Sequence, residues 1–144
     1  MKLLEAIAKF EVQLKADGKS PHTISSYLRD LRYFTEHMGG DRNVASIYIN
    51  DLNEFLTSPA VTRQSNGKPK APISVNRTKS TMKSFFSFLH RVRAIQLNPA
   101  DNIRIKYHQR KVPEILTDQE RKALFKILKT TKGARAFRDR AVYF

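Results

Sequence analysis

The chain has 144 residues, 40% of them hydrophobic, no cysteine, and a formal net charge of +14. That length suffices for one well-buried domain plus part of another. The lack of cysteine excludes disulfides, thiolate nucleophiles and Cys-ligated zinc or iron–sulfur centres, and it suits a reducing, cytoplasmic compartment. Charge is concentrated rather than spread: residues 59–111 hold twelve Lys or Arg against one acid, Asp101, whereas residues 1–58 hold seven against eight and residues 112–144 eight against four. A surface with that excess repels itself and is neutralised by a polyanion, of which nucleic acid is the commonest in a cell. A membrane surface would call for a basic helix backed by a wide exposed apolar face, and the apolar faces traced below are used up in packing.

Leu3, Ile7, Phe10 and Leu14 recur at helical spacing and stop before Asp17 and Gly18, which predicts a first helix closed by a glycine. Glu5, Lys9 and Glu11 interrupt that stretch, so neither a signal peptide nor a membrane span is expected there. Ser20 as N-cap and Pro21 at the first helical position open a second helix. Its inner face is Ile24, Tyr27, Leu28, Leu31, Phe34 and Met38, and Gly39-Gly40 ends it. A third, shorter helix starts near Asn50, buries Leu52, Phe55 and Leu56, and stops by Ser58 ahead of Pro59. Residues 59–72, with three prolines, Gly67, Lys68 and Lys70, read as a basic loop that is mobile without a ligand. Ser74 then caps a long fourth helix with the inward stripe Thr78, Met82, Phe85, Phe86, Leu89 and Val92, ending around Ile95 to Leu97. From Asn102 to Pro113 the chain is polar and basic, as an interdomain linker would be. Thr117 and Glu120 have capping-box spacing and open a helix whose buried face is Leu124, Ile127 and Leu128. One more helix opens near Arg138 and breaks off at Phe144 with its apolar face barely begun, as expected of a piece of a longer polypeptide.

At 100° per residue, the back of the fourth helix collects Asn76, Arg77, Ser80, Lys83, Ser84, Ser87 and Arg91, with Lys79 at its edge. Small hydroxyl side chains let a backbone approach a phosphate closely while Arg77 and Lys83 supply charge, and Asn76 and Arg77, near the helix start, are the candidates for base edges. The second helix repeats the pattern with His22, Ser25, Ser26, Arg29 and Tyr33 outward, Thr23 and Tyr27 at the flank, and Lys19 before the cap. The candidate DNA-binding set is therefore Lys19, His22, Thr23, Ser26, Arg29, Lys70, Asn76, Arg77, Lys79, Ser80, Lys83 and Ser84. No phosphate-binding glycine loop, metal-ligand spacing or Ser/His/Asp set appears, and His22, His37, His90 and His108 are scattered, so no catalytic residue, metal or cofactor is expected.

Laid out in this order, the signals resemble the tyrosine recombinase and phage integrase family. The residues that carry the resemblance are Ser20-Pro21-His22-Thr23 with Tyr27, Asp30-Leu31 and Phe34; Arg77 ahead of Phe85, Phe86 and Leu89; Asn98-Pro99-Ala100; Val112-Pro113 to Leu116-Thr117 with Glu120; and Arg138-Asp139-Arg140-Ala141. The resemblance implies an N-terminal core-binding, SAM-like domain and the entry into a catalytic domain. Its parent would cut and rejoin DNA through a covalent phosphotyrosine, with four protomers acting on two sites. In that family the second and fourth helices of the core-binding domain face DNA, and by the same analogy the first helix contacts a neighbouring protomer. The family's first catalytic arginine follows the helix opened by Arg-Asp-Arg-Ala, inside which this sequence ends, so the catalytic set is absent from it. Gly133-Ala134-Arg135, His90 with Arg93, and Tyr143 imitate pieces of that set at the wrong places in the order.

These readings converge on an all-α chain. Residues 1–106 form a four-helix core-binding domain, 107–113 a linker, and 114–144 an incomplete start of a catalytic domain. The expected partner is double-stranded DNA, the expected location cytoplasmic, and the chain by itself is expected to be monomeric. Two other functions fit the same residues: a free-standing helical DNA-binding or architectural protein, and a helical RNA-binding protein.

Overall fold

The computed structural model of the chain describes residues 1–106 and 117–130. Among these the structure is all-α: helices α1 (Leu3–Ala16), α2 (Pro21–Met38), α3 (Ile49–Thr57), α4 (Pro59–Thr62), α5 (Pro72–Arg91) and α6 (Asp118–Thr130), with a 3-10 turn at Val44–Ser46 and no strand. The chain divides into two compact units, Met1–His108 and Gln109–Phe144. The expected linker 107–113, the helix opened by Arg138 and the look-alikes Gly133-Ala134-Arg135 and Tyr143 lie outside the described residues, as does His108.

In the first unit, α1 stops because Gly18 takes φ 67, a conformation glycine adopts without the steric cost other residues meet. The Gly18 N–H then bonds the Lys15 carbonyl and the Lys19 N–H the Leu14 carbonyl, closing the helix in a Schellman motif. The apolar stripe of α1 buries Leu3, Ala6, Phe10 and Leu14. Ser20 accepts from the Thr23 N–H at 3.2 Å and Pro21 occupies the first turn of α2, as expected. Ile24, Leu31 and Phe34 of α2 are buried, with Tyr27, Leu28 and Met38 packed at the edge of the same cluster.

The core is tied by aromatic rings from four helices. Phe34 of α2 meets Phe55 of α3 at 5.0 Å and Phe86 of α5 at 5.9 Å, both edge to face, and Phe10 of α1 meets Phe85 of α5 at 5.4 Å. Aromatic pairs in this geometry add about 0.5–1.5 kcal/mol each to the burial of their surface. The crossing from α2 to α3 is held by Arg42, which donates to the Asp51 carboxylate at 2.8 Å and to the Ser46 carbonyl at 3.0 Å. The Tyr48 N–H, and after it Arg42, holds the Asp51 carboxyl below the usual carboxylate range.

Two expectations are corrected between α3 and α5. Residues 59–72 are not an irregular loop. Pro59–Thr62 is a helical turn, and Arg63 and Pro69 then pair across a tight reversal, with the Gln64 N–H on the Lys68 carbonyl and the Lys70 N–H on the Thr62 carbonyl, both at 2.8 Å. α5 begins at Pro72 rather than after Ser74: proline presets the helical φ at the first position, and the Ser74 carbonyl is already inside the helix, accepting from the Thr78 hydroxyl.

α5 also ends earlier than its periodicity suggested. The Arg93 N–H bonds the His90 carbonyl and the Ala94 N–H the Leu89 carbonyl, a second Schellman closure with Arg93 at φ 58. Val92, expected in the buried stripe, is 48% exposed, and Ile95 and Ala100 beyond the turn are buried instead. A non-glycine residue in that conformation is strained, so Arg93→Gly should raise stability by about 0.5–1 kcal/mol. A urea-unfolding midpoint that failed to rise would show that the arginine side chain offsets the strain.

In the second unit, α6 opens on the expected capping box: Glu120 accepts from the Thr117 N–H and hydroxyl, both at 2.8 Å, and the Thr117 hydroxyl accepts the Glu120 N–H at 3.3 Å. The hydroxyl and the backbone N–H hold the Glu120 carboxyl below its ordinary range. Leu124 is half-buried, whereas Ile127, expected to be buried, is 61% exposed.

Candidate nucleic-acid interface

α2 and α5 pack directly against each other, and an ion pair across that contact shapes the charged surface. Asp30 of α2 points inward with its side chain 3% exposed. It accepts two bonds from the Arg77 guanidinium, Nε to Oδ2 at 3.3 Å and Nη2 to Oδ1 at 3.0 Å, and a third from the Thr81 hydroxyl at 3.1 Å. The Arg77 side chain remains 42% exposed. Above it opens a cavity of ≈ 320 Å³ lined by Arg29, Tyr33, Gln64, Lys70, Ser74 and Arg77. Helix α2, the reversal at 63–70 and the first turns of α5 thus bring three cations to one depression.

Each cation has a local reason to be there. Lys70 is held where α5 begins by its Nζ on the Ala60 carbonyl at 2.6 Å, with the ammonium 5.7 Å from the centre of the Tyr33 ring. Arg29 donates to Ser26 at 3.3 Å and extends to solvent. His22 is exposed and lies seven residues before Arg29, which puts both on one stripe of α2. On the other side of that stripe a wider depression is lined by Lys15, Lys19, Ser25, Leu28, Arg29 and Arg32, so Arg29 stands on the ridge between two basic hollows.

The remaining candidates are placed less simply. Ser26 is 6% exposed and belongs to the packed side of α2, contrary to the expectation of an outward serine, because it lies four residues before buried Asp30. The Thr23 hydroxyl is 2.9 Å from the capping Ser20 hydroxyl. Ser80 and Ser84 are half-buried. Asn76, Lys79 and Lys83, spaced i, i+3 and i+7 along α5, each donate to a backbone carbonyl of the segment that follows the bundle: Lys106, Arg104 and Ile103 respectively. An ammonium carries three donors, so Lys79 and Lys83 each keep two beyond the one given to the segment. Sequence reading missed Asp30 and Thr81 as buried polar partners beneath this surface, and Gln64 and Ser74 as walls of its cavity.

Among the described residues there is no group of three His, Cys, Asp or Glu placed to hold a metal, and no helix is long and apolar enough to cross a membrane. Residues 7–92 match the family model for the phage integrase N-terminal SAM-like domain. The chain is similar to the tyrosine recombinase XerD of Rickettsia conorii, 32% identical over 123 residues, which are 82% of this chain and 37% of that protein. It is also similar to XerC of Lacticaseibacillus casei, 27% identical over 127 residues (85% and 41%), and to XerD of Rickettsia bellii, 31% identical over 126 residues (84% and 38%). The chain thus spans about two-fifths of the length of these curated relatives. No solved structure matches it. The chain belongs to the tyrosine recombinase and phage integrase family, with that family's N-terminal SAM-like domain at residues 7–92.

Proposed function

We propose that the first unit binds double-stranded DNA through the outward stripes of α2 and α5, and that it does so on behalf of a site-specific strand-exchange enzyme. The observation that carries this reading is the cavity where Arg29, Lys70 and Arg77 meet across two packed helices. A phosphodiester backbone presents an anion at regular intervals, and a helical surface with guanidinium and ammonium groups lining its hollows is complementary to it. The family supports the choice of partner: proteins called tyrosine recombinases match over most of this chain. Binding would hold the duplex in register for chemistry performed by an arginine set and a nucleophilic tyrosine, the residue types the family uses and this sequence does not supply in the family's order. Assembly of four protomers on two sites, with α1 at a protomer contact, belongs to the same proposal.

The test is a direct comparison of nucleic acids at one salt concentration. A duplex DNA of mixed sequence should bind at least about tenfold more tightly than a hairpin RNA of equal charge, because an A-form major groove is too deep and narrow for a helix to enter. Equal or tighter binding of the RNA would replace this reading with a helical RNA-binding one. Charge reversal by Arg29→Glu, on the ridge between the two hollows, should weaken the duplex complex by more than tenfold, since it removes one attraction and adds one repulsion.

A further inference from the structure

We propose that Asp30 is a positioning residue of the DNA face: from inside the bundle it fixes the Arg77 guanidinium as one wall of a phosphate-binding cleft completed by Arg29 and Lys70. The inference rests on the reading of this face as a DNA-binding one and adds to it the group that orients its central cation.

A buried carboxylate is an expensive way to join two helices. Desolvating it costs several kcal/mol, and well-packed apolar residues in the same space are commonly as stabilising as the ion pair they replace. The stability of the α2–α5 contact therefore does not account for Asp30, because Phe34 and Phe86 already join the same two helices. What the carboxylate does provide is orientation. A guanidinium has five N–H donors in one plane; bonds from Nε and Nη2 to the two oxygens of Asp30 use two of them and fix that plane. The other three donors are left on the edge away from Asp30, and the half-exposed Arg77 side chain forms part of the cavity wall beside Arg29 and Lys70. The Thr81 hydroxyl, itself buried and one turn along α5 from Arg77, stands 3.1 Å from the same Asp30 oxygen that Nε reaches and 3.1 Å from the Arg77 carbonyl, so its one proton is shared between the carboxylate and the backbone of the arginine it orients. A free arginine on a helix surface would lose rotamer entropy on engaging a phosphate, whereas one already pinned does not.

Charge alone and positioning predict opposite signs. Asp30→Asn removes a negative charge from beneath a surface that binds a polyanion, so a purely electrostatic effect would tighten binding. Loss of positioning weakens it. Wild type, Asp30→Asn, Arg77→Ala and the double variant are titrated with one mixed-sequence duplex at fixed salt, each at a temperature where circular dichroism shows it folded. Asp30→Asn should weaken binding about 5- to 10-fold, and the double variant should bind no more weakly than Arg77→Ala, which is the signature of one residue acting through another. Arg77→Lys, which keeps a cation beside Asp30 and the charge of the face and is titrated under the same check of folding, should weaken binding about fivefold because an ammonium cannot make the planar fork. The proposal is overturned if Asp30→Asn binds as wild type or more tightly, if its effect persists undiminished in the Arg77→Ala background, or if Arg77→Lys binds as wild type. A wild-type protein that does not bind the duplex at all removes the DNA reading itself, a result that none of those three outcomes resembles.

Discussion

Phe34→Ala should cost about 3–5 kcal/mol of folding stability, the range for truncating a fully buried aromatic ring. Phe34 is completely buried and touches rings of two other helices, Phe55 and Phe86. Removing it leaves a cavity at the point where α2, α3 and α5 meet. Domains of this size have about 5–15 kcal/mol of stability to lose, and each kcal/mol moves the midpoint by roughly 4–8 °C. The variant should therefore melt at least about 12 °C lower than wild type, and a calorimetric scan of the two proteins checks it. A loss under about 1 kcal/mol would mean that neighbouring side chains collapse into the space and that the ring cluster is not the centre of the fold. The same substitution should loosen the proposed DNA face, because the helices that carry Arg29 and Arg77 are braced by this contact.

The helices were legible where the chain punctuates itself. Gly18 in a left-handed conformation, Ser20 with Pro21, and Gly39 after Met38 bound α1 and α2 as their chemistry dictates, and the stripes through Leu3, Phe10 and Leu14 and through Ile24, Leu31 and Phe34 are buried. The end of α5 was not legible. A Schellman turn is recognised in sequence by its glycine, and here Arg93 occupies that position at φ 58, so the periodicity of Val92, Ile95 and Leu97 pointed to a longer helix. The start of α5 was misplaced for a related reason: Ser74 is the better N-cap by chemistry, but Pro72 is already helical and Ala71 precedes it without any side-chain bond to the helix. The reversal at 63–70 depends on pairing across the turn, which no single stretch of sequence announces.

For the interface, composition located the charge and helix geometry located the stripes, yet neither showed how the side chains are engaged. Ser26, Asp30 and Phe34 stand at successive i+4 positions, and Phe34 is core; that column was the available sign that Ser26 and Asp30 turn inward with it. The partner of Asp30 lies forty-seven residues away, so Arg77 read as a free surface cation when it is a fixed one. Asn76, Lys79 and Lys83 likewise read as free, and their partners are backbone carbonyls, which carry no residue signature at all.

Binding of duplex DNA should weaken steeply with salt, and the steepness measures how many of these cations meet phosphates. Each phosphate neutralised contributes about −0.9 to the slope of log affinity against log salt. Lys19, Arg29, Lys70 and Arg77 lie on the α2 and cavity side, and engaging those four alone gives a slope near −3.6, with roughly a 10²-fold loss of affinity from 50 to 200 mM salt. Lys79 and Lys83 are tied to the carbonyls of Arg104 and Ile103. If they also reach phosphates, the slope approaches −5.4 and the loss is roughly 10³-fold. The two cases separate in the variants: Lys79→Ala and Lys83→Ala should each flatten the slope by about 1 in the second case and leave it unchanged in the first. Because the segment at 103–106 occupies only one of three donors on each ammonium, the steeper slope is the expected one. A slope shallower than about −2 would mean that fewer than three cations meet phosphates, and the +11 excess of residues 59–111, twelve basic residues against one acid, would then need a different polyanion or a different face.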